Sequence, residues 1–177
     1  MSTLTVHHER SERERDLEEV YREHYPMLHR TAYSILGSPA DAEDVPQTIF
    51  LRLLRTGVPR GVGNIKGYLY RWAVNLSLNV LRSRRREILT DGAACREAPI
   101  DSSDSSSAED LHRRLTEAIA ELTPGAAHVV ILRYVHDYSD AQIAKLLGTS
   151  RGVVAMKLFR ARARLKKLIV KSSGETK

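Results

Sequence analysis

Apolar residues recur at intervals of three and four along most of this chain, which is the spacing that places them on one face of an α-helix. The pattern runs from about residue 16 to 87 and again from about residue 110 to 170. Clusters of Gly, Pro and Ser interrupt it near residues 37–39 and 57–67, where helices are expected to end. No segment shows the alternation of apolar and polar residues that is typical of a β-strand. The sequence therefore predicts an all-α protein.

The helical pattern stops between residues 88 and 109, where seven consecutive residues are Asp or Ser. Such a stretch cannot bury apolar surface, so we expect a flexible linker. It divides the chain into two small helical domains, at 16–87 and 110–170. The polar ends, 1–15 and 171–177, are predicted to be a disordered N-terminal tail and a C-terminal tail.

The clearest local pattern lies near the C-terminus. Ser139 is placed to cap one helix, and Gly148 supplies a left-handed turn at low cost. The small Ala144 lets two crossed helices approach, and Val154 fills the space between them. The second helix is strongly basic, with no acidic residue from 151 to 171. This spacing predicts a DNA-binding helix-turn-helix, and the alternative is an ordinary helical hairpin with a solvated basic face.

Charge supports a polyanionic partner. The chain of 177 residues has a formal charge of +6 at pH 7. The excess is concentrated in the last helix and in a second cluster at residues 82–86, so a polyanion touched at two places is expected. Simple solubility would not require this clustering.

Other features of the sequence exclude several classes of site and function. Cys95 is the single cysteine, so an internal disulfide or a zinc site built from cysteines is excluded, and we interpret it as an incidental linker thiol. Residues 1–15 lack the apolar core of a signal peptide, and no run is long enough to span a membrane, which fits a cytoplasmic protein without membrane insertion. The chain has no glycine-rich phosphate loop and no histidines at metal-binding spacing. We therefore expect no catalytic residues, no metal and no cofactor.

Three segments together carry a family resemblance. Residues 41–50, Asp-Ala-Glu-Asp-Val-Pro-Gln-Thr-Ile-Phe, resemble an acidic signature of the bacterial sigma-70 factors. Residues 67–82 resemble the helix of that family that melts promoters and reads the −10 element. The helix-turn-helix with Leu-Phe-Arg-Ala-Arg-Ala-Arg-Leu at 158–165 resembles its region 4. Segment order, linker and length are similar to the compact extracytoplasmic-function (ECF) group, which keeps only regions 2 and 4.

The resemblance implies a factor that binds RNA polymerase core and directs promoter recognition and DNA melting. In this family the acidic helix docks on the largest polymerase subunit. The residues implied in core binding are Asp41, Glu43, Asp44, Gln47 and Phe50. Acids at a helix start are also favoured simply by the helix dipole, although that does not account for the Gln and the Phe.

The resemblance also implies two DNA-binding sites. The −10 element, with a flipped base, is assigned to Asn64, Tyr68, Trp72, Asn75, Arg82, Arg84, Arg85 and Arg86. Trp72 is equally compatible with an ordinary core position. In the −35 major groove, the second helix of the helix-turn-helix is expected to use Arg151, Ala155, Met156, Lys157 and Arg160.

Pro46 departs from the family pattern. A proline inside a helix removes one hydrogen bond and clashes with the carbonyl four residues earlier, at Ala42. Either the helix is kinked at this position, or its regular part begins at Asp44 and leaves Asp41 and Glu43 on a separate turn.

The expected partners are RNA polymerase core, promoter DNA and an anti-sigma factor that holds such proteins inactive. Two other functions are compatible with parts of the sequence. A stand-alone helix-turn-helix regulator has no need of the signature at 41–50. A DNA-processing enzyme would need a nucleophile among clustered cations or metal-binding acids, and Ser34, Ser77 and Tyr70 lack such neighbours.

Overall fold

The computed structural model describes residues 3–90 and 107–174, with side chains described over 16–87 and 114–170. These parts of the chain form seven α-helices and no strand, which confirms the all-α prediction. The helices are α1 (Thr3–Leu36), α2 (Pro39–Thr56), α3 (Ile65–Thr90), α4 (Ser107–Ala120), α5 (Pro124–Tyr134), α6 (Asp140–Leu147) and α7 (Arg151–Gly174).

Several helices extend beyond the domain bounds expected from the sequence. Helix α1 begins at Thr3, so it continues through residues for which we expected a disordered tail. The Glu and Arg residues there are good helix formers, and neither Gly nor Pro interrupts them. Helix α7 likewise continues to Gly174. Helices α3 and α4 extend by a few residues into the predicted linker from either side. The remaining residues of that prediction, 91–106 with Cys95, lie outside the described residues.

Helices α1, α2 and α3 pack around a core that includes Leu28, Ile49 and Leu69, all fully buried. The Ser38 side chain caps α2 by accepting a hydrogen bond from the Asp41 backbone N–H at 3.4 Å, and a proline occupies the first helical position. The turn and the cap therefore fix the direction in which α2 returns along α1.

Helix α2 is continuous through Pro46, which is buried on the core side. Asp41 and Glu43 lie in the same helix as Gln47, so the alternative that placed them on a separate turn is wrong. Pro26 also lies inside a helix, α1.

Helices α6 and α7 form the predicted helix-turn-helix, and α5 packs against both. Ser139 and Gln142 make a reciprocal capping box at the start of α6. Gly148 ends α6 in the left-handed region, with φ 63° and ψ 43°. Val154 is fully buried between the crossed helices, and Ala144 is 6% exposed. Each of these positions confirms the role predicted from the sequence.

The two helical units share one core, a feature the sequence did not predict. Tyr70, Val74 and Leu78 of α3 are fully buried in the same cluster as Val129 and Leu132 of α5. Ile35 of α1 also belongs to this cluster. The structure therefore holds the N-terminal and C-terminal units directly against each other.

Candidate nucleic-acid interface

An exposed stripe runs along the outer side of α2. Asp44, Gln47, Leu51 and Leu54 follow one another at intervals of three and four, and all four are exposed. Leu51 and Leu54 are each 54% exposed. They were not among the residues predicted for binding, although their spacing from Gln47 was visible in the sequence. We call these four residues the α2 stripe.

The stripe borders an apolar groove between α1 and α2, with a volume of about 350 Å³. Gln47, Leu51 and Leu54 line it from α2, and Leu17 and Tyr21 line it from α1. Phe50 also lines the groove but is only 6% exposed, and its ring meets that of Tyr21 edge-on at 4.6 Å. Phe50 therefore shapes the groove from beneath rather than projecting from the surface.

Asp41 and Glu43 differ in their surroundings. Glu43 is exposed, whereas Asp41 is half-buried and accepts two hydrogen bonds from Arg84 of α3, one of them at 2.7 Å. The hydrogen bonds from Arg84 lower the pKa of the Asp41 carboxyl below its ordinary value. A residue expected to bind polymerase and one expected to bind DNA are thus paired with each other.

Tyr68, Trp72 and Asn75 occupy one face of α3 at intervals of four and three. The Tyr68 and Trp72 rings meet edge-on at 5.7 Å, and the Arg52 guanidinium lies 5.5 Å from the Trp72 ring centre. Trp72 is half-buried against the core of α1–α3, and Asn75 is exposed. This face combines aromatic surface with nearby positive charge, which suits an unstacked base.

Asn64 precedes α3, and its side chain makes two contacts. Its Oδ1 accepts a hydrogen bond from the Gly67 backbone N–H at 2.8 Å, which caps the helix. Its Nδ2 donates to the Leu146 carbonyl of α6 at 3.2 Å. Arg71 of α3 donates to the next carbonyl, that of Leu147, at 3.3 Å.

The arginine cluster at 82–86 is largely engaged within the molecule. Arg82 donates to the carbonyls of Ala120 and Leu122, at 3.1 and 2.8 Å. Arg85 pairs with Glu121. Arg84 is bound to Asp41, so Arg82, Arg84 and Arg85, all predicted to bind phosphate, contact protein groups in this structure.

Helix α7 presents a basic face at its N-terminal half, where Arg151, Ala155, Met156 and Arg160 are exposed. Lys157 is partly covered and lies against the start of α5, near Gly125. Phe159 was not predicted as a site residue, yet at 73% it is the most exposed large apolar side chain described. The signal in the sequence was its position three residues after Met156, which places the two side chains on the same side of α7.

The described residues contain no group of three or more His, Cys, Asp or Glu side chains placed to hold a metal ion. They also contain no helix that is long and apolar enough to cross a bilayer.

Comparison with known proteins assigns both helical units. The profile of Sigma-70 region 2 matches residues 20–87, and the profile of Sigma-70 region 4 matches residues 112–165. The RNA polymerase sigma-E factor of Streptomyces avermitilis is 31% identical over 156 residues, which cover 85% of this chain and 83% of that protein. This chain belongs to the sigma-70 family. It is a sigma factor of the ECF group, with region 2 in α1–α3 and region 4 in α4–α7.

Other relatives agree with this assignment. The ECF RNA polymerase sigma factor SigE of Mycolicibacterium smegmatis is 30% identical over 170 residues, covering 90% of this sigma factor and 63% of that protein. The solved structure of the sigma factor RpoE in complex with the anti-sigma factor NepR, from Bartonella quintana, has a TM-score of 0.51 and 24% identity. It covers 87% of this chain and 96% of that chain, and the likeness is one of fold.

Proposed function

We propose that this sigma factor binds RNA polymerase core through the α2 stripe and its groove, and directs the enzyme to promoters. The observation that carries the proposal is the exposure of Asp44 and Gln47 beside Leu51 and Leu54 on a helix of region 2. Contiguous exposed apolar surface with polar groups at its edge is typical of a protein-binding site. Asp44 can pair with a cation of the polymerase while the two leucines supply apolar contact.

We propose that region 2 reads and melts the −10 element on the α3 face formed by Tyr68, Trp72 and Asn75. A base taken out of the stack needs an aromatic surface to offset the lost stacking, which is worth about 1–3 kcal/mol per base. The half-exposed Tyr68 and Trp72 rings supply such a surface. Arg52, above the Trp72 ring, adds a cation close to the DNA strand that carries the unstacked base.

Region 4 is proposed to place α7 in the −35 major groove. Arg151 and Arg160 are suited to guanine edges or phosphates, and Ala155 and Met156 to thymine methyl groups. Lys157 is partly covered by α5, so its flexible side chain moves away from α5 to contact the DNA. In this proposal the chain has no catalytic residues and no cofactor, since the polymerase carries out the chemistry, and it acts in the cytoplasm.

We also propose that an anti-sigma factor regulates this chain, since the fold neighbour from Bartonella quintana was solved in such a complex. A stand-alone regulator is the alternative, but it gives no reason for a complete region 2 with an exposed α2 stripe.

Binding to sigma-free RNA polymerase core, measured by co-elution in gel filtration, tests the proposal. Leu51→Glu combined with Leu54→Glu is expected to weaken binding at least tenfold, because two charges would enter an apolar contact. Val170→Glu is the matched control, because Val170 is 63% exposed but lies on α7.

Two outcomes contradict parts of this proposal. Wild-type affinity in the double variant would move the polymerase contact away from the α2 stripe. Absence of co-elution for the wild type, with DNA binding retained, would favour the stand-alone regulator.

A further inference from the structure

An exposed tyrosine of α5 holds an exposed arginine of α7. The Arg162 Nε–H donates to the Tyr134 hydroxyl at 2.6 Å, and the Arg162 guanidinium carbon lies 5.7 Å from the centre of the Tyr134 ring. The second distance is within the range at which a cation is attracted to an aromatic ring. Tyr134 is 54% exposed, and Arg162 is exposed as well. Two contacts therefore fix the direction of an arginine at the surface of region 4.

This pair contributes little to the stability of the fold. Helix α5 is anchored in the core by other side chains, among them Val129 and Leu132, which are fully buried. Water competes for an exposed hydrogen bond and screens an exposed charge, so the Tyr134–Arg162 contact adds only slightly to folding. What the tyrosine changes is the freedom of the arginine.

The Arg162 guanidinium keeps donors for a ligand. Its Nε–H is directed at Tyr134, and within the part of the chain that the structure describes no protein oxygen accepts from its two terminal amino groups. Two parallel N–H donors match two oxygens of one phosphate, a bidentate contact that arginine makes and lysine does not. Arg162 is thus oriented on one side and open to an anion on the other.

The position of Arg162 along α7 indicates which part of the DNA it reaches. Arg151 and Arg162 lie on the same strip of α7, about three helical turns or about 16 Å apart. The proposed function places the N-terminal half of α7 in a major groove about 12 Å wide. A side chain about 16 Å further along the same strip lies at the wall of that groove, where the phosphates are.

We propose that Arg162 binds a backbone phosphate of the −35 duplex and that Tyr134 is its positioning residue. The inference rests on the proposed function for the placement of α7 in the major groove. A free arginine loses the rotamer freedom of a long side chain when it binds, whereas Tyr134 already directs Arg162. The phosphate contact carries no sequence information, but it fixes the register in which the N-terminal residues of α7 meet the bases.

Anisotropy titrations test the arginine. The full chain, alone and bound to RNA polymerase core, is titrated with a fluorescent −35 duplex recovered by selection from random DNA. Arg162→Ala is expected to weaken binding about five- to tenfold and to reduce the slope of log affinity against log salt by about 0.9, the value for one phosphate. Arg162→Lys is expected to keep the slope and lose about two- to threefold in affinity. Unchanged affinity and slope in Arg162→Ala would overturn the proposal.

A double-mutant cycle separates positioning from a structural role of Tyr134. Tyr134→Leu removes both contacts and is expected to weaken DNA binding about two- to fourfold, with unchanged helical content by circular dichroism. In the Arg162→Ala background the same change is expected to have no effect, because no arginine remains to be directed. In the Arg164→Ala background, the matched control on the same helix, it should keep its full effect. An equal loss in all three backgrounds would overturn the positioning role.

Tyr134→Phe keeps the ring and removes only the hydrogen bond to Arg162, so its loss of affinity is expected to be smaller than that of Tyr134→Leu. It replaces Tyr134→Leu in the cycle should the leucine variant lose helical content. Tyr33→Leu is the control for removal of an exposed tyrosine, because Tyr33 is 45% exposed but lies on α1. It should bind the duplex with wild-type affinity.

Replacing one phosphate at a time by an uncharged methylphosphonate locates the contact. The wild type is expected to lose affinity at a phosphate to which Arg162→Ala is insensitive. The same pattern of sensitivity in both proteins would overturn the assignment. If the wild type binds the selected duplex no better than a scrambled one while the Arg162 effects persist, the phosphate contact stands and the proposed reading of the −35 element fails.

Discussion

Asp41 and Arg84 form an ion pair between two surfaces that were predicted separately. The Arg84 hydrogen bonds lower the pKa of the Asp41 carboxyl. A carboxyl whose pKa is lowered on folding stabilises the protein above its unfolded pKa, and that stabilisation is lost as the pH falls through the folded value. The pair therefore contributes at neutral pH and disappears in acid.

Arg84→Gln is expected to lower the free energy of unfolding at neutral pH by about 0.5–1 kcal/mol, since the arginine is partly exposed and water screens the pair. Thermal unfolding at neutral pH, followed by circular dichroism, measures the change. Arg60→Gln, in the exposed loop before α3, serves as the control and should leave the melting temperature unchanged. A loss of similar size in acid would contradict an ionic origin.

Pro46 lies inside a continuous helix, where it leaves the Ala42 carbonyl without its usual intrahelical donor. Pro46→Val is expected to raise the free energy of unfolding by on the order of 1 kcal/mol, or about 2–4 °C in melting temperature. Pro39→Ala is the control, because a proline at the first helical position replaces no hydrogen bond.

The affinity of the Pro46→Val variant for RNA polymerase core is the second measurement. Asp44 and Gln47 already lie on one stripe despite the proline, so affinity is expected to stay within about threefold, less than 1 kcal/mol. A larger change would show that Pro46 adjusts docking to polymerase.

Among the elements, the helix-turn-helix could be predicted in detail because its signals are local. The Ser139 cap, the turn at Gly148 and the buried Val154 all depend on residues within a few turns of one another. For the acidic segment of α2 the sequence left two arrangements open around Pro46, and the structure places the segment in a single helix. Its exposed leucines were missed because an amphipathic helix with two apolar strips resembles a single wide core face in sequence.

The contacts between regions 2 and 4 could not be predicted. The donor and acceptor in the Asn64–Leu146 contact are 82 residues apart, and those in the Tyr70–His128 contact are 58 apart. Periodicity shows that a helix face is apolar, but not which other helix covers it. The sequence does not distinguish an arginine that donates to a backbone carbonyl, such as Arg82, from an arginine that binds phosphate.

Helix α7 is the element to which we assign specificity for the base sequence of the −35 element. Arg151→Ala is expected to reduce the preference for a recognised −35 duplex over a scrambled one by about 1–3 kcal/mol, because a base contact is lost. Arg164→Ala, further along the helix, should weaken both duplexes equally and leave the preference intact. Anisotropy titrations on duplexes recovered by selection from random DNA measure both effects. Equal loss of preference in both variants would contradict base reading by Arg151.

At the scale of the whole molecule, two histidines make the packing sensitive to pH. Burial lowers the pKa of His128 and of His136 from 6.5 to about 4. For His128, a hydrogen bond with the Arg71 backbone opposes the lowering of the pKa, while the charges of Arg71 and Lys157 add to it. For His136, the charges of Arg30 and Lys66 lower the pKa as well, and Asp137 opposes them. Because the unfolded chain takes up these protons at a higher pH, the two histidines stabilise the packing fully above about pH 6.5, and this contribution is lost as the pH falls toward 4.

Lowering the pH from about 7.5 to 5.5 is therefore expected to reduce the free energy of unfolding by on the order of 2–3 kcal/mol from these two groups together. Urea unfolding at the two values measures it. His136→Gln should remove part of the dependence, whereas His29→Gln, on α1 between two tyrosine rings, should not. An unchanged dependence in His136→Gln would assign the effect elsewhere.

The contact between Gly67 and Leu146 also has a consequence for genetics. Every glycine codon becomes an alanine codon by one nucleotide substitution, and alanine strengthens a helix by up to about 1 kcal/mol relative to glycine. A mutant with this codon change is thus easily reached and carries no folding penalty in α3. Alanine is nevertheless expected to be rare at this position among natural variants of this chain, because its Cβ would lie 2.2 Å from the Leu146 carbonyl oxygen.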